Sequence, residues 1–106
     1  MAKPIDTKSQ PAFGVSEVEF LSVALEVRTW KPANGAPGNG EKLTLYANYK
    51  QAKEGDCGAT ARPGMFDPAG RAKWDAWAGL KGKTVEQARA DYVAEVKRQK
   101  SVYGTA

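Results

Sequence analysis

Histidine is absent from the 106 residues. That removes the commonest general base at neutral pH and any histidine-containing metal site. Cysteine occurs once, at Cys57, so no intramolecular disulfide can form and a thiolate metal cluster is excluded. A reducing compartment fits this usage. No apolar run approaches the length of a membrane span, and the opening residues MAKPIDTKSQPAFGVS carry no secretory h-region. No stretch sustains the period-2 alternation of a half-buried strand. These absences argue against catalysis, membrane insertion and sheet structure, and they point to a cytoplasmic helical protein.

What is present suits one small domain. The composition is 42% hydrophobic and 26% charged, ordinary for a folded soluble chain. A chain this short can bury one core, so its elements must use simple packing. Sixteen Lys and Arg against 12 Asp and Glu give a net charge of +4, which favours anionic partners without choosing among nucleic acid, a membrane surface and phosphorylated metabolites. Residues 1–15, with Pro4 and Pro11 among polar groups, read as a mobile tail, and residues 16–106 as the domain.

Four helices are expected. The first begins at Ser16, whose S-x-x-E pattern with Glu19 is a capping box, and Phe20, Val23, Ala24, Val27 and Trp30 form its buried stripe before Pro32 ends it. NGAPGNG, residues 34–40, is rich enough in turn formers to be read wholly as loop. The second helix runs from Glu41 to Lys53, with Gly55 as its left-handed cap. The connection from Gly55 to Gly64 is longer than most helix links, which suggests a packed or functional loop. Asp67 and Pro68 open the third helix, which continues through Trp74 and Trp77 to about Leu80. The fourth starts at Thr84, with Gln87 at the capping-box position. It carries Val85, Ala88, Tyr92, Val96 and Gln99 on one face and closes at Gly104.

Most motif-like stretches have a plain structural reading. GLKGKT, residues 79–84, lacks the glycine of a phosphate loop, because Trp77 stands there, and no strand precedes it. It reads as a helix-capping turn. Cys57 has no histidine to activate it and reads as a loop thiol outside any site. Trp74 and Trp77 read first as core residues. The carboxylates scatter among caps and polar faces without forming an acid–base pair, and Lys97, Arg98 and Lys100 complement a helix C-terminus. LYANYKQA, residues 45–52, is more ambiguous. Tyr46, Tyr49 and Lys50 share one helix face by their i, i+3, i+4 spacing. They could stack a purine and hold a phosphate, or simply be a packed helix edge.

Taken together, YANYKQAKEGD, RPGMFDPAGRAKWDAWAGLKG and ARADYV resemble the acyl-CoA-binding protein family in order and spacing, from about Phe20 to Gly104. The resemblance implies an all-α, up-down-down-up bundle of four helices. It implies a monomeric carrier, not an enzyme, that binds long-chain fatty acyl-CoA non-covalently and needs no cofactor. Enzymes that make or use acyl-CoA are its implied partners. Nucleic acid is not among them.

Position by position, the resemblance implies that Tyr46, Tyr49 and Lys50 form a head-group cluster, the tyrosines supporting adenine and Lys50 reaching phosphate. Lys73 matches a lysine that pairs with the ribose 3′-phosphate, Tyr92 a tyrosine whose hydroxyl meets the head group, and Arg28 a basic residue turned to the ligand. Trp74 packs beside this region and Trp77 is scaffold. Leu43 is a candidate acyl-chain contact. Three departures bear on affinity and chain length. Ala69 stands where a lysine is common, Lys42 and Leu43 replace an apolar pair, and the loop KPANGAPGNGE is longer than usual. The rival reading is a basic helical module that binds nucleic acid through KRQK, residues 97–100, and the other surface cations, or a helical module that binds protein partners.

Overall fold

Ser16 caps the first helix as its sequence pattern predicts: its hydroxyl accepts a hydrogen bond from the Glu19 N–H at 3.1 Å. The computed structural model describes residues 14–58 and 61–106. The expected tail therefore lies outside the described residues except for Gly14 and Val15. Val15 is buried with Phe20 in the core, and the two occupy the N′ and N4 positions of a hydrophobic staple. The helices are α1 Glu17–Thr29, α2 Asn39–Glu54, α3 Pro68–Ala78 and α4 Val85–Tyr103, and no strand occurs among the described residues.

Cap chemistry sets most of these boundaries. The Asp67 carboxylate accepts from the Gly70 N–H at 3.0 Å with Pro68 in the first turn of α3, and the Thr84 hydroxyl accepts from the Gln87 N–H at 3.0 Å to open α4. Gly55 and Gly104 end α2 and α4 at φ 76° and 68°, a backbone region that a side chain would strain.

Two expectations are corrected. α2 starts at Asn39, two residues before Glu41, because the Glu41 carboxylate reaches back to accept from the Gly38 N–H at 2.9 Å and so caps a turn built from Asn39 and Gly40. Trp30 is the cap of α1 and not a member of its helical stripe. Its indole N–H donates to the Gly104 carbonyl and the Thr105 hydroxyl, both at 3.0 Å. Backbone bonds from Ala33 and Asn34 to the Tyr103 carbonyl, at 3.0 and 2.8 Å, and from Ala106 to the Lys31 carbonyl, at 2.7 Å, join the same two segments. The α1–α2 connection is thereby clasped to the chain end.

The direction of each helix follows from its cross-contacts. Phe20 meets Tyr92, Glu26 meets Lys100 and Trp30 meets Gly104, so α1 and α4 run parallel. Glu41 meets Arg98 and Gln99, while Tyr49 meets Tyr92, so α2 runs against α4. Tyr46 meets Lys73 and Lys50 meets Trp77, so α3 runs parallel to α2. The result is an all-α bundle in up-down-down-up order. Helix α2 lies between α4 and α3, and α1 packs on α4.

The core is centred on Phe20, Ala52, Ala88, Tyr92, Val93 and Val96. Two buried amides hold the helices in register beside it. Gln51 Nε2 donates to Asp56 Oδ1 and the Lys83 carbonyl, both at 2.8 Å, tying α2 to the turn before α4. Gln99 Nε2 donates to the Glu41 carbonyl at 3.1 Å and to Glu95 Oε2 at 2.8 Å. Such bonds fix orientation where apolar packing alone would allow slippage.

Candidate functional site

The one-face spacing of Tyr46, Tyr49 and Lys50 places them together along α2, and the structure divides their neighbours into two groups. Tyr49 turns to α1 and α4. Its ring centroid is 5.7 Å from that of Phe20 and 6.0 Å from that of Tyr92, and Phe20 and Tyr92 meet edge to face at 5.2 Å. Such pairs contribute about 0.5–1.5 kcal/mol each beyond their buried area. Tyr49 and Tyr92 also line a cleft of about 410 Å³ with Leu21, Ala24, Leu25, Val27 and Arg28 of α1. Burial pushes the Tyr92 phenol above its ordinary pKa, and Tyr49 adds to the effect, so this hydroxyl stays protonated and able to donate.

Tyr46 and Lys50 turn to α3. The Lys73 ammonium stands over the Tyr46 ring, 5.6 Å from its centroid, and the Lys50 ammonium stands 4.7 Å from that of Trp77. Lys50 also bonds Glu54 one turn along α2, and this bond raises the lysine above its ordinary pKa against the opposing effect of burial. Trp77 is buried and donates its indole N–H to the Gly55 carbonyl at 2.9 Å, a scaffold position. Trp74 is half-buried on the same helix.

Beside Lys73, Leu43 lines a recess of about 360 Å³ between α2 and α3 with Asn39, Lys42, Ala69 and Ala72. The small side chain of Ala69 keeps that wall apolar where the resemblance leads one to expect a second cation.

The described parts of the long α2–α3 connection are tied to α2, α3 and the turn before α4. Asp56 Oδ1 accepts from Gln51 and, at 2.9 Å, from the Gly82 N–H, while Arg62 grips Asp75 through two bonds of 2.8 and 2.7 Å. The Gly82 bond chiefly, with that of Gln51, holds the Asp56 carboxyl below its ordinary pKa. Cys57 is buried within this loop. Among the described residues no three carboxylate or thiol groups converge as a metal site, and no helix is long and apolar enough to cross a membrane.

The six charged and aromatic residues singled out in the sequence thus fall into two adjoining sets. Arg28, Tyr49 and Tyr92 meet at the α1 cleft, and Tyr46, Lys50 and Lys73 along the α2–α3 seam. The apolar lining from α1 is the part that sequence reading missed. Leu21 and Leu25 lie beside the expected stripe, and Val23, Ala24 and Val27 within it are only half-buried. The signal was the width of α1's apolar arc, which exceeds what one packed neighbour can cover.

A family model described as acyl CoA binding protein matches residues 17–96. The chain is 44% identical over 80 residues to the acyl-CoA-binding protein of Fritillaria agrestis, covering 76% of this chain and 87% of that protein. It is 52% identical over 80 residues to acyl-CoA-binding domain-containing protein 3 of Oryza sativa subsp. japonica, covering 76% of this chain, and spans 49% of that protein's length. Against acyl-CoA-binding domain-containing protein 5 of Rattus norvegicus it is 44% identical over 95 residues, covering 88% of this chain but only 17% of the larger protein.

Among solved structures, the fold matches the Oryza sativa acyl-CoA-binding protein 2 with TM-score 0.73 and 40% identity, covering 81% of this chain and 89% of that one. It matches the protein of Moniliophthora perniciosa with TM-score 0.76 and 33% identity, covering 86% of each. The matched span contains α1, α2 and α3 entire and most of α4, with all the residues of both sets, and on that footing the chain belongs to the acyl-CoA-binding protein family.

Proposed function

We propose that the protein binds long-chain fatty acyl-CoA esters without covalent chemistry, and that it buffers and carries them as a cytoplasmic monomer between the enzymes that make and use them. It needs no cofactor and catalyses no reaction. One observation carries this reading: a wall of cations and aromatic rings, Tyr46 with Lys73 and Lys50 with Trp77, adjoins an apolar cleft edged by Arg28 and Tyr92. A nucleotide thioester has the matching halves, an anionic aromatic head and an apolar tail.

Magnitudes divide the labour. Burying a methylene contributes about 0.8 kcal/mol, so a long acyl chain gains on the order of 10 kcal/mol before ordering costs. A charge-assisted hydrogen bond contributes roughly 1.5–3 kcal/mol. The tail supplies affinity, and Lys50, Lys73 and Arg28 supply discrimination for the head. A free fatty acid leaves these cations without phosphate, and free CoA leaves the cleft wet. The nucleic-acid reading has less support. Two of the three cations of KRQK are engaged, Arg98 with Glu41 and Glu95 and Lys100 with Glu26, which reduces the positive surface available to a phosphate backbone.

Replacing Lys73 tests the assignment. Lys73→Ala should weaken palmitoyl-CoA binding roughly ten- to a hundredfold, as loss of one charged bond implies, and should leave the 3′-dephospho analogue nearly unaffected. Equal losses for the two ligands would remove Lys73 from the phosphate.

A further inference from the structure

The start of α2 carries a cation, Lys42, that no carboxylate among the described residues neutralises. Lys42, Tyr46 and Tyr49 recur at i, i+4 and i+7 on α2 and share a face, with Lys42 about 10 Å along the axis from Tyr49. Its side chain lines two recesses at once. One is the α2–α3 recess with Leu43, Ala69 and Ala72, and the other, of about 280 Å³, lies under the α1–α2 loop against Val27, Trp30, Pro37 and Leu45. Val27 belongs in turn to the cleft of Arg28, Tyr49 and Tyr92. Each cavity therefore shares a lining residue with the next, Val27 joining the cleft to the loop recess and Lys42 marking the junction of the two recesses.

Among the described residues Lys42 has no ion-pair partner. The carboxylate next to it in the chain, Glu41, is held by Gly38, Arg98 and Tyr103. The other lysine of the α2–α3 recess, Lys73, sits over the Tyr46 ring.

We propose that Lys42 makes this protein selective for acyl-CoA whose chain ends in a carboxylate. The inference rests on the carrier reading above and names the subset of thioesters carried. A methyl-terminated chain that reaches the junction covers part of the ammonium's hydration and offers no polar partner in exchange. A terminal carboxylate restores a charged hydrogen bond there, while the methylenes before it fill the recess of Val27, Trp30 and Leu45. The butyl stem of Lys42 suits both tasks, lying along apolar surface with its charge at the rim.

The test is calorimetric titration of the full chain with palmitoyl-CoA and with the mono-CoA thioester of hexadecanedioic acid. The wild type should bind the dicarboxylic thioester about two- to fivefold more tightly, the ratio falling as salt is added because Lys42 is exposed. Lys42→Met should invert the order, and Lys42→Arg should keep it. Tight palmitoyl-CoA binding with no preference for the dicarboxylic thioester, or a preference that survives Lys42→Met, overturns this proposal and leaves the carrier reading standing. Failure of both thioesters to bind overturns the carrier reading as well.

Discussion

Lys50 shows how a single side chain is shared between fold and site. Its ammonium lies between the Glu54 carboxylate, one turn along α2, and the face of Trp77 on α3. A phosphate that engages Lys50 competes with Glu54 and meets that carboxylate as a like charge. The pair is partly exposed, with side-chain exposures of 24% for Lys50 and 51% for Glu54, and pairs of this kind contribute only about 0.2–1 kcal/mol. Glu54→Gln should therefore leave the fold intact and tighten palmitoyl-CoA binding by up to about fivefold, with the gain lost at high salt. Weaker binding in Glu54→Gln would mean that Glu54 positions Lys50 instead of competing for it.

At the level of elements, Glu41 joins three parts of the chain. It caps α2 through the Gly38 N–H, accepts from the Tyr103 hydroxyl at 2.6 Å, and pairs with Arg98 of α4 at 2.7 Å. The Tyr103 bond chiefly, then those of Gly38 and Arg98, lowers its pKa from 4.5 to about 2. A carboxylate depressed in the folded state contributes stability that is present above its unfolded pKa and lost as pH falls through the folded one. Between pH 4.5 and about 2 the unfolded chain binds the extra proton, so stability falls on acidification. Asp56, Asp75 and Glu95 are also depressed and act in the same direction. Urea melts across this window, followed by circular dichroism, should show a shallower acid loss for Tyr103→Phe than for the wild type. Identical slopes would contradict the role of that hydroxyl.

The helix ends also show what can be read locally. Ser16, Asp67, Thr84, Gly55 and Gly104 act within a turn of their own positions and were legible. The start of α2 and the role of Trp30 depend on partners that local patterns do not reveal: a carboxylate folding back on a glycine N–H, and a carbonyl and a hydroxyl more than 70 residues away.

For the whole molecule, up-down-down-up order brings α2 between α4 and α3 and so gives its aromatic face two different neighbours. The sequence motifs, through their family resemblance, already named Arg28, Tyr46, Tyr49, Lys50, Lys73 and Tyr92. Their spacing alone could not separate a site from a packed edge. The division into a cleft at α1 and a cationic seam at α3 became visible only when Tyr49 met Tyr92 and Lys73 met Tyr46, residues separated by a loop or a whole helix in sequence. Leu21 and Leu25 stayed illegible because a cleft wall and a core stripe have the same composition. If cleft and seam act together, neither half of an acyl-CoA should suffice alone. Titration calorimetry with palmitoyl-CoA, free CoA and palmitate measures this directly. Palmitoyl-CoA should bind far more tightly than either fragment, with a negative heat-capacity change from burial of the chain. Equal affinities for all three ligands, or no binding of any, would contradict the assignment.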